Sequence, residues 1–359
     1  MIRILHTESS KEIGGQELRI IKKLHYLKKR GYWVGLVASK DSGIFKLAKE
    51  KEILVFDLDL SRRRLITLYK LVSITKRKNI DIVHTHSSRD SWYGLAVKII
   101  NSRVKLVRTR HISTPVKKHF FNKILYQKPD LIFTTGEKIK EYIESNFARS
   151  PGTTISLPSG IDINLFNRDH VRPALNKEGL FYVGTISILR SWKGINYLLE
   201  VIADISRNLA DIRCIIVGDG PQKENLQELA RKLNIERYVT FLGYRKDIPE
   251  ILASLDILVH PSTAHEGLPQ VILQALAMEV PVIATDVGSV AEVVINNRTG
   301  ILIPPKDHNA IKKAILNIYQ NYKHYKKMAQ NGRKLVEKDY TFDSIVKKLE
   351  HYYISLFNS

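Results

Sequence analysis

The stretch 256-DILVHPSTAHEGLPQVILQALAMEVPVIATDVG-288 contains two apolar strand-like runs with one helix between them. Both runs, DILVHPS and PVIATDVG, are rich in Ile and Val, as strands buried on both faces of a parallel sheet are. We expect Pro269 to lie in the first turn of the helix, where its missing N–H costs nothing. This strand–helix–strand order predicts a parallel sheet flanked by helices.

The same alternation extends along the chain in two series of strand-like runs. The first series is IRILHT, WVGLVAS, ILVFDL, DIVHTHS, KLVRTR, LIFTTG and TTISLPSG, and the second is LFYVGTI, RCIIVGDG, VTFLGY, DILVHPS, PVIATDVG and GILIPP. We therefore predict an α/β protein with two Rossmann-like, doubly wound lobes and ligands bound in a cleft between them. The predicted lobes are residues 1–166 and 180–340, joined by a polar linker over 167–179. A final helix over 341–359 is expected to pack back on the first lobe.

Composition is that of a globular protein. The 359 residues suffice for two cores, and 44% are hydrophobic and 26% charged. No apolar run reaches the length of a membrane-spanning helix, and the N-terminus reads as a strand rather than a signal peptide. The single cysteine, Cys214, cannot form an internal disulfide, so we expect a reducing, cytoplasmic compartment.

The net charge of +21 predicts attraction to polyanions, which include nucleic acid, an anionic membrane and phosphate-bearing substrates. Three basic clusters lie in the first lobe. On the predicted helix 16–30, one face carries Arg19, Lys22, Lys23, Tyr26 and Arg30, and the other two clusters are Arg62–Arg64 and the segment 116-VKKHFFNKILYQK-128. An ordinary solvated face is one interpretation of that helix. The mixture of lysines with Phe120 and Phe121 favours a peripheral membrane surface. Without an aromatic ribonucleoprotein motif or a recognition helix, nucleic acid is not an expected partner.

A carboxylate, Glu266, stands just before the predicted helix. The backbone N–H groups of Gly267 and Leu268 would be unpaired there, and a helix start binds phosphate well. A carboxylate in the same place repels phosphate, so Glu266 is better suited to accept hydrogen bonds from sugar hydroxyls. The Gln274 amide, further along the helix, can also bind hydroxyls.

The stretch HEGLPQVILQALAMEVPVIATDVGSVAEVV resembles the signature of retaining GT-B glycosyltransferases of family 4, in particular bacterial lipopolysaccharide and capsule transferases. That family carries an E-x7-E pattern here. The resemblance implies that Glu266 contacts hydroxyls of the donor sugar. Gln274 replaces the second acid, which holds the nucleotide ribose in the family, and this implies weaker or altered donor binding.

Two cations follow the first strand of the second lobe, in 182-YVGTISILRSWKGINYLLE-200. Fixed cations lower the barrier to breaking a sugar–phosphate bond, because they stabilise the departing diphosphate. Arg190 and Lys193 are therefore the expected phosphate clamp. Many family members place the arginine two residues earlier, where this chain has Ile188.

The resemblance also implies further binding residues at strand ends. In 13-IGGQE-17, Gly14 and Gly15 are expected to bind the donor and Glu17 the acceptor. His111 is expected to assist near the reacting carbon and His86 to bind the acceptor, while His84 is favoured less. Gly218, in VGDGP, and Tyr244 and Arg245, in FLGYRKD, are expected beside the nucleotide.

Metal binding is not expected from the sequence. Asp57-Leu58-Asp59 spells the D-x-D metal motif of the other large glycosyltransferase fold, and we interpret it as coincidence. No Cys/His spacing suggests zinc. The resemblance implies that side chains and a helix dipole stabilise the diphosphate, so neither a metal nor another cofactor is required.

The predicted function is transfer of a sugar, with retention, from a nucleotide-diphosphate sugar to a glycan or lipid-linked acceptor in cell-envelope polysaccharide synthesis. The donor phosphate itself would take the acceptor proton, with no protein nucleophile. The partners are then the nucleotide sugar, the acceptor and an anionic membrane surface on the cytoplasmic face. Two alternatives stay open: a GT-B sugar-nucleotide epimerase or phosphorylase, and a non-catalytic GT-B binding protein.

Overall fold

The computed structural model describes residues 2–111, 113–114, 116–117 and 119–358. The chain forms two compact units, Met1–Pro158 with Ile345–Ser359 and Ser159–Ser344. The stretch 167–179, suggested by the sequence as a linker, belongs to the second unit. Val171 and Leu175 pack against its core, and the N–H of Ala174 donates to the carbonyl of Glu250 at 3.0 Å.

Seven parallel strands form the sheet found among the described residues of the first unit, in the order β3-β2-β1-β4-β5-β6-β7. They are β1 (Arg3–Thr7), β2 (Trp33–Ala38), β3 (Leu54–Asp57), β4 (Ile82–Thr85), β5 (Lys105–Arg110), β6 (Leu131–Thr134) and β7 (Thr154–Ser156). All of them coincide with predicted runs. The strand order reverses between β1 and β4, so their carboxyl ends frame the point where ligands of such sheets bind.

Helices cover both faces of this sheet. They are α1 (Gly15–Lys29), α2 (Gly43–Glu50), α3 (Leu65–Arg77), α4 (Ser88–Ile100), α5 (Phe120–Gln127) and α6 (Glu137–Phe147). The last helix of the chain, α13 (Phe342–Ser355), contributes Ile345, Val346, Leu349 and Tyr353 to the core around β1 and β4. Each apolar side chain buried in this way stabilises the unit by about 1.5–3 kcal/mol.

The second unit has a six-stranded parallel sheet among its described residues, in the order β10-β9-β8-β11-β12-β13. Its strands are β8 (Phe181–Ile186), β9 (Ile212–Val217), β10 (Val239–Gly243), β11 (Ile257–His260), β12 (Val282–Thr285) and β13 (Ile301–Ile303). Its helices are α7 (Ile195–Ile205), α8 (Lys223–Lys232), α9 (Ile248–Ser254), α10 (Gln270–Ala277), α11 (His308–Gln320) and α12 (Tyr322–Asp339). The order reverses between β8 and β11.

Helix α10, in the stretch 256–288, starts one residue later than expected. Pro269 has φ −66° and ψ 124°, and this extended ψ places it before the helix, which begins at Gln270. The apolar faces of α10 and of strands β11 and β12 are fully buried, as the Ile- and Val-rich pattern predicted. Within the described residues, no helix combines the length and apolar content needed to cross a membrane.

Candidate active site

Glu266 lies between β11 and α10, at the switch point of the second sheet, and is only 6% exposed. Its Oε1 accepts hydrogen bonds from Lys193 Nζ at 2.5 Å and Ser262 Oγ at 2.6 Å, and His260 Nε2 lies 3.2 Å away. Sequence reasoning missed His260 and Ser262, although the polar HPS at the end of strand DILVHPS was a signal for them.

The charges around Glu266 keep it ionised. Burial by itself would raise the pKa of Glu266, but the hydrogen bond and charge of His260 and the nearby Lys193 ammonium outweigh burial and lower that pKa to about 2. Its second oxygen, Oε2, has no hydrogen bond to any residue that the structure describes. Glu266 therefore offers one free carboxylate oxygen at neutral pH.

Two glycines let the loops around Glu266 approach closely. Gly194 has φ +65°, and a Cβ there would lie 2.1 Å from the carbonyl oxygen of Pro261. Gly288 has φ +60°, and its Cβ would lie 2.0 Å from the carbonyl oxygen of Glu266. Left-handed backbone disfavours other residues at both positions, so the site depends on these glycines.

The start of α10 has unpaired backbone donors. Among the described residues, the N–H groups of Gly267 and Leu268 have no acceptor, as the sequence predicted. The Leu268 side chain is buried in the core, so only its backbone can contact a ligand. Gln274 lies half-buried on α10, and its side chain forms no hydrogen bond in the described part of the chain.

The two predicted clamp residues differ in their surroundings. Arg190 is exposed, its Cζ lies 5.0 Å from the ring centroid of Trp192, and no described residue forms an ion pair with it. Lys193 instead pairs with Glu266. The expected pair of cations thus consists of one unpaired arginine and one lysine that already neutralises the candidate sugar-binding acid.

A pocket of about 390 Å³ opens beside the carboxyl ends of β8, β9 and β10. It brings together Gly218, Tyr244 and Arg245, the three residues that the sequence placed beside the nucleotide, and Ile188 also lines it. Arg245 donates two hydrogen bonds to Asp247, which fixes the guanidinium at the pocket edge.

In the first unit, buried histidines meet at the switch point between β1 and β4. His6 Nδ1 lies 2.8 Å from His86 Nε2, and His86 Nδ1 lies 3.0 Å from His111 Nε2. The His84 ring stacks on that of His86, and it is tilted by 39° against that of His6 with the ring centroids 4.6 Å apart. Sequence reasoning found His86 and His111 but missed His6, whose signal was a polar residue inside the apolar run IRILHT.

Burial keeps these rings neutral. It lowers the pKa of His6 to about 3, helped by the charge of Lys23, and it lowers the pKa of His84, His86 and His111 well below the usual value. Nearby cations, Lys23 and Arg19, add to this effect at His111.

The solvated basic face suggested for the helix 16–30 is wrong for two of its residues. Lys23 is 5% exposed, and burial lowers its pKa to about 8. Arg19 is half-buried, and burial lowers the pKa of its guanidinium. The charge of Lys23 helps to lower the pKa of His6, His84, His86 and His111, and that of Arg19 helps to lower the pKa of His111. Helix α1 therefore directs cations towards this polar cluster rather than only towards water.

The glycine loop of the first unit is capped by the predicted acceptor-binding acid. Gly14 N–H donates to Glu17 Oε2 at 2.8 Å, and Glu17 is buried. Gly14 and Gly15 themselves are exposed, and α1 begins at Gly15. The Glu17 carboxylate therefore stabilises the start of α1.

Two further acids at this end of the sheet were missed by the sequence analysis. Burial and the neighbouring Asp90 raise the pKa of Glu8 to about 7, although Glu8 Oε1 accepts the N–H groups of Ser9 and Ser10. Burial raises the pKa of Asp90 to about 6, against four hydrogen bonds to its carboxylate. The polar run TESS after the first strand was the available signal for Glu8.

One group of described residues has a geometry that suits a metal. His6, His84 and His86 each offer one nitrogen, and these atoms lie within 4.8 Å of one another. Sequence spacing gave no hint of this group. The D-x-D acids have other partners: Asp57 Oδ1 accepts the N–H of Lys40 and Asp59 Oδ1 accepts that of Ser61, both at 2.9 Å.

Comparison with solved structures shows the fold. A glycosyltransferase from Rickettsia africae matches with a TM-score of 0.88 at 21% identity, covering 100% of this chain and 99% of its own. The Anabaena protein HepE, solved in complex with UDP, matches with a TM-score of 0.86 at 23% identity, covering 99% of this chain and 100% of its own. The two units thus have the two sheets of a GT-B glycosyltransferase.

Comparison of sequences gives the family. Residues 13–165 match Glycosyltransferase Family 4, and residues 167–335 match Glycosyl transferases group 1. The Bacillus anthracis N-acetyl-alpha-D-glucosaminyl L-malate synthase is 25% identical over 79% of this chain and 77% of its own length. An Escherichia coli UDP-Gal:alpha-D-GlcNAc-diphosphoundecaprenol alpha-1,3-galactosyltransferase is 24% identical over 99% of this chain and 97% of its own length. The chain therefore belongs to the group 1 glycosyltransferases of family 4, and it is a glycosyltransferase enzyme.

Proposed function

We propose that this glycosyltransferase moves a sugar from a UDP-sugar to a glycan or lipid-linked acceptor of a cell-envelope polysaccharide, with retention at the anomeric carbon. The observation that carries the proposal is the ionised, buried Glu266, whose Oε2 is free beside the unpaired N–H groups of Gly267 and Leu268. The likeness to HepE, solved in complex with UDP, and to the E. coli UDP-Gal:alpha-D-GlcNAc-diphosphoundecaprenol alpha-1,3-galactosyltransferase supports this donor and acceptor class.

The groups around Glu266 are proposed to share the binding of the donor. The N–H groups at the start of α10 and the Arg190 guanidinium bind the diphosphate, and Glu266 Oε2 accepts a hydrogen bond from a sugar hydroxyl. Lys193 has three N–H donors and uses one on Glu266, so it can also donate to a phosphate oxygen.

Bond changes follow from these tasks. The bond between the anomeric carbon and the diphosphate oxygen breaks, and the acceptor oxygen bonds to that carbon on the same face. The acceptor proton passes to the departing diphosphate oxygen. Fixed positive groups favour this step because negative charge grows on the leaving group. Neither a metal nor a protein nucleophile is part of this proposal.

The pocket at β8–β10 is proposed to hold the base. Tyr244 supplies an aromatic face, and Arg245 is held in place by Asp247. A thermal-shift screen of UDP, GDP, ADP and their sugars tests this assignment, because a ligand stabilises the native state in proportion to its affinity. We expect UDP compounds alone to stabilise the protein and Tyr244→Ala to abolish the shift. Equal shifts with all three diphosphates would contradict a uridine site.

Product analysis tests the reaction itself. With the stabilising UDP-sugar and an acceptor, we expect UDP release and, by NMR, a glycoside with the anomeric configuration of the donor. Glu266→Gln should lower kcat/KM by roughly 100-fold. An inverted product would contradict retention. A change of the nucleotide sugar without an acceptor would indicate an epimerase, and binding without turnover on any acceptor would indicate a non-catalytic protein.

We also propose that an apolar and basic surface of the first unit binds an anionic bilayer. The large side chains of Leu65, Phe120 and Phe121 are 86%, 70% and 61% exposed. Trp92 packs edge-on against Phe121 at 6.1 Å, and Arg63 lies 5.8 Å from the Trp92 ring. Exposed aromatics beside cations suit the interface of a membrane that carries negative lipids.

Vesicle sedimentation tests this surface. We expect binding to vesicles that contain phosphatidylglycerol and not to pure phosphatidylcholine vesicles. The double change Phe120→Ser and Phe121→Ser should lower the bound fraction about tenfold, because two buried rings are lost from the interface. Leu165→Ser, an exposed apolar residue of the second unit, is the control. Equal binding by both variants would contradict the assignment.

A further inference from the structure

A chain of hydrogen-bonding groups starts at His111 and runs into the core of the first unit. His111 Nε2 faces His86 Nδ1 at 3.0 Å, and His86 Nε2 faces His6 Nδ1 at 2.8 Å. Each ring therefore uses one nitrogen towards the previous ring and the other towards the next. His111 Nδ1 lies at the outer end, shielded from solvent and without a hydrogen-bond partner among the described residues.

The chain continues through the last helix. His6 Nε2 lies 3.5 Å from the hydroxyl of Tyr353 on α13, and that hydroxyl lies 2.6 Å from His84 Nδ1. His84 Nε2 in turn lies 2.6 Å from Thr109 Oγ1 on β5. Tyr353 is the connecting group, because it alone joins His6 to His84 through hydrogen bonds in the described structure.

Neutral rings allow only two arrangements of protons along this chain. A neutral imidazole has one N–H donor and one bare acceptor nitrogen. Among the described residues, the Tyr353 O–H can donate only to His84 or to His6. With every hydrogen bond made, the direction of one therefore fixes all the others. In one arrangement every donor points towards His111, and Nδ1 of His111 carries a proton. In the reverse arrangement that Nδ1 is bare.

Thr109, at the inner end of the hydrogen-bond chain, decides between the two arrangements. The Thr109 hydroxyl is buried, and among the described residues of the protein His84 Nε2 is its only hydrogen-bond partner. A buried hydroxyl proton without an acceptor is costly, so Thr109 donates to His84. His84 Nδ1–H then donates to Tyr353, whose O–H donates to His6. The same direction continues to His111.

We propose that Tyr353, together with His6, His84 and His86, holds His111 in the Nδ1–H tautomer. These four are positioning residues, and they leave His111 Nδ1–H ready to donate to an oxygen of a bound ligand. The ligand class is an acceptor oxygen, such as that of a sugar hydroxyl or a phosphate. The tautomer itself is independent of the proposed sugar transfer, whereas its effect on turnover rests on that proposed function.

A metal is a weaker explanation of the same cluster. Hydrogen bonds within the chain occupy both nitrogens of His6, His84 and His86. The positive charge of Lys23 acts on all three rings, as their lowered pKa values indicate, and would oppose a divalent cation. A bound metal would also remove the hydrogen bonds that define the chain.

Nitrogen NMR of the full-length protein with ¹⁵N-labelled histidine tests the proposal, because protonated and bare ring nitrogens have different shifts. We expect His6, His84, His86 and His111 to carry their proton on Nδ1. His111→Gln assigns the His111 signals by their loss. Tyr353→Phe should move His111 towards the Nε2–H tautomer, since the link between His84 and His6 is broken.

Matched variants separate this effect from general disturbance of the core. Tyr126→Phe removes a buried hydroxyl that has no hydrogen-bond partner among the described residues, so the histidine shifts should not change. Thr109→Val should release the tautomer, and Thr109→Ser should restore it. Three results would overturn the proposal. The first is an Nε2–H tautomer of His111 in the unaltered protein, and the second is unchanged histidine shifts in both Tyr353→Phe and Thr109→Val. The third is stoichiometric zinc in the purified protein.

Turnover gives a second readout. With the UDP-sugar and acceptor identified, kcat of Tyr353→Phe should fall roughly tenfold. In metal sites, loss of a partner that fixes a histidine tautomer costs about 10- to 100-fold, and we expect the lower end of that range. Tyr126→Phe should keep its kcat. An unchanged kcat alongside a shifted tautomer would overturn the effect on turnover. The proposed function would stand in that case, because its own tests use the unaltered protein and do not depend on the tautomer of His111.

Discussion

The two units bury polar clusters at equivalent places, the switch point of each sheet, but they treat charge in opposite ways. In the first unit, burial holds the pKa of His6 near 3 and raises the pKa of Glu8 to about 7, so both groups tend towards neutrality. In the second unit, His260 and Lys193 lower the pKa of Glu266 to about 2 despite burial. Burial therefore shifts a pKa towards the neutral form unless a counter-charge makes direct contact.

This difference indicates different chemical tasks. A cluster of neutral rings directs protons through hydrogen bonds and adds little field of its own. An ionised acid paired with a lysine concentrates charge, and such charge stabilises a polar ligand or a growing negative charge nearby. Each cluster should therefore depend on a different feature, the first on neutral rings and the second on its ion pair.

The largest expected effect comes from breaking the ion pair of the second unit. Lys193→Met leaves the buried Glu266 carboxylate without its closest cation and should lower the free energy of unfolding of this unit by about 4 kcal/mol. Hydrogen exchange of peptides from β11 and β12 measures this loss. Lys223→Met, which removes an exposed ion pair with Asp219, is the control and should leave exchange unchanged. Equal exchange in both variants would show that the pair is not structural.

A somewhat smaller effect is expected from the backbone that brings the cluster together. Gly194→Ala should cost about 3 kcal/mol, because its Cβ would overlap the carbonyl of Pro261 as well as adopting a left-handed backbone. Gly179→Ala has a similar φ of +76° with open space around it and should cost about 1 kcal/mol. Denaturant unfolding of both variants gives the comparison, and similar losses would mean that crowding at Gly194 is relieved elsewhere.

The stability of the first unit should fall in acid because its folded state keeps His6 neutral. The pKa of His6 is lowered from 6.5 to about 3, so the folded state excludes a proton that the unfolded chain binds below pH 6.5. The stability due to neutral His6 is therefore complete above pH 6.5 and is lost as the pH falls towards 3.

Substitution isolates this dependence. Between pH 6 and 4, unfolding free energy measured by hydrogen exchange of β1 and β4 should fall more steeply in the unaltered protein than in His6→Gln, by about 1.4 kcal/mol per pH unit. The opposite contributions of Glu8 and Asp90, whose raised pKa values favour the folded state at lower pH, are present in both proteins. Parallel pH profiles would mean that His6 is not held neutral.

Most of the fold was predictable because its signals are local. Ile- and Val-rich runs marked the strands of both sheets, and the Glu266 stretch carried the family pattern. The start of α10 was misplaced by one residue, since a proline fits both before and inside the first helical turn.

The clusters themselves were only partly predictable. Tyr353 and His6 are 347 positions apart and meet only because the last helix packs on the first unit. Lys23 looked solvated, because a helical pattern cannot show that a neighbouring polar cluster covers one side of the helix. The pairing of Lys193 with Glu266 likewise depends on where two loops meet, and no local spacing encodes that contact.

The smallest expected effect concerns the amide that replaces the family's second acid. If Gln274 contacts the ribose, Gln274→Glu should tighten UDP binding roughly fivefold, because a charged acceptor strengthens a hydrogen bond from a hydroxyl by about 1 kcal/mol. Gln274→Leu should weaken binding, and calorimetric Kd values for the three proteins give the order. The gain should vanish with 2′,3′-dideoxy-UDP, which lacks the ribose hydroxyls. A gain that persists with this analogue would come from general electrostatics of the helix rather than from ribose contact, and it would separate Gln274 from the charged cluster around Glu266.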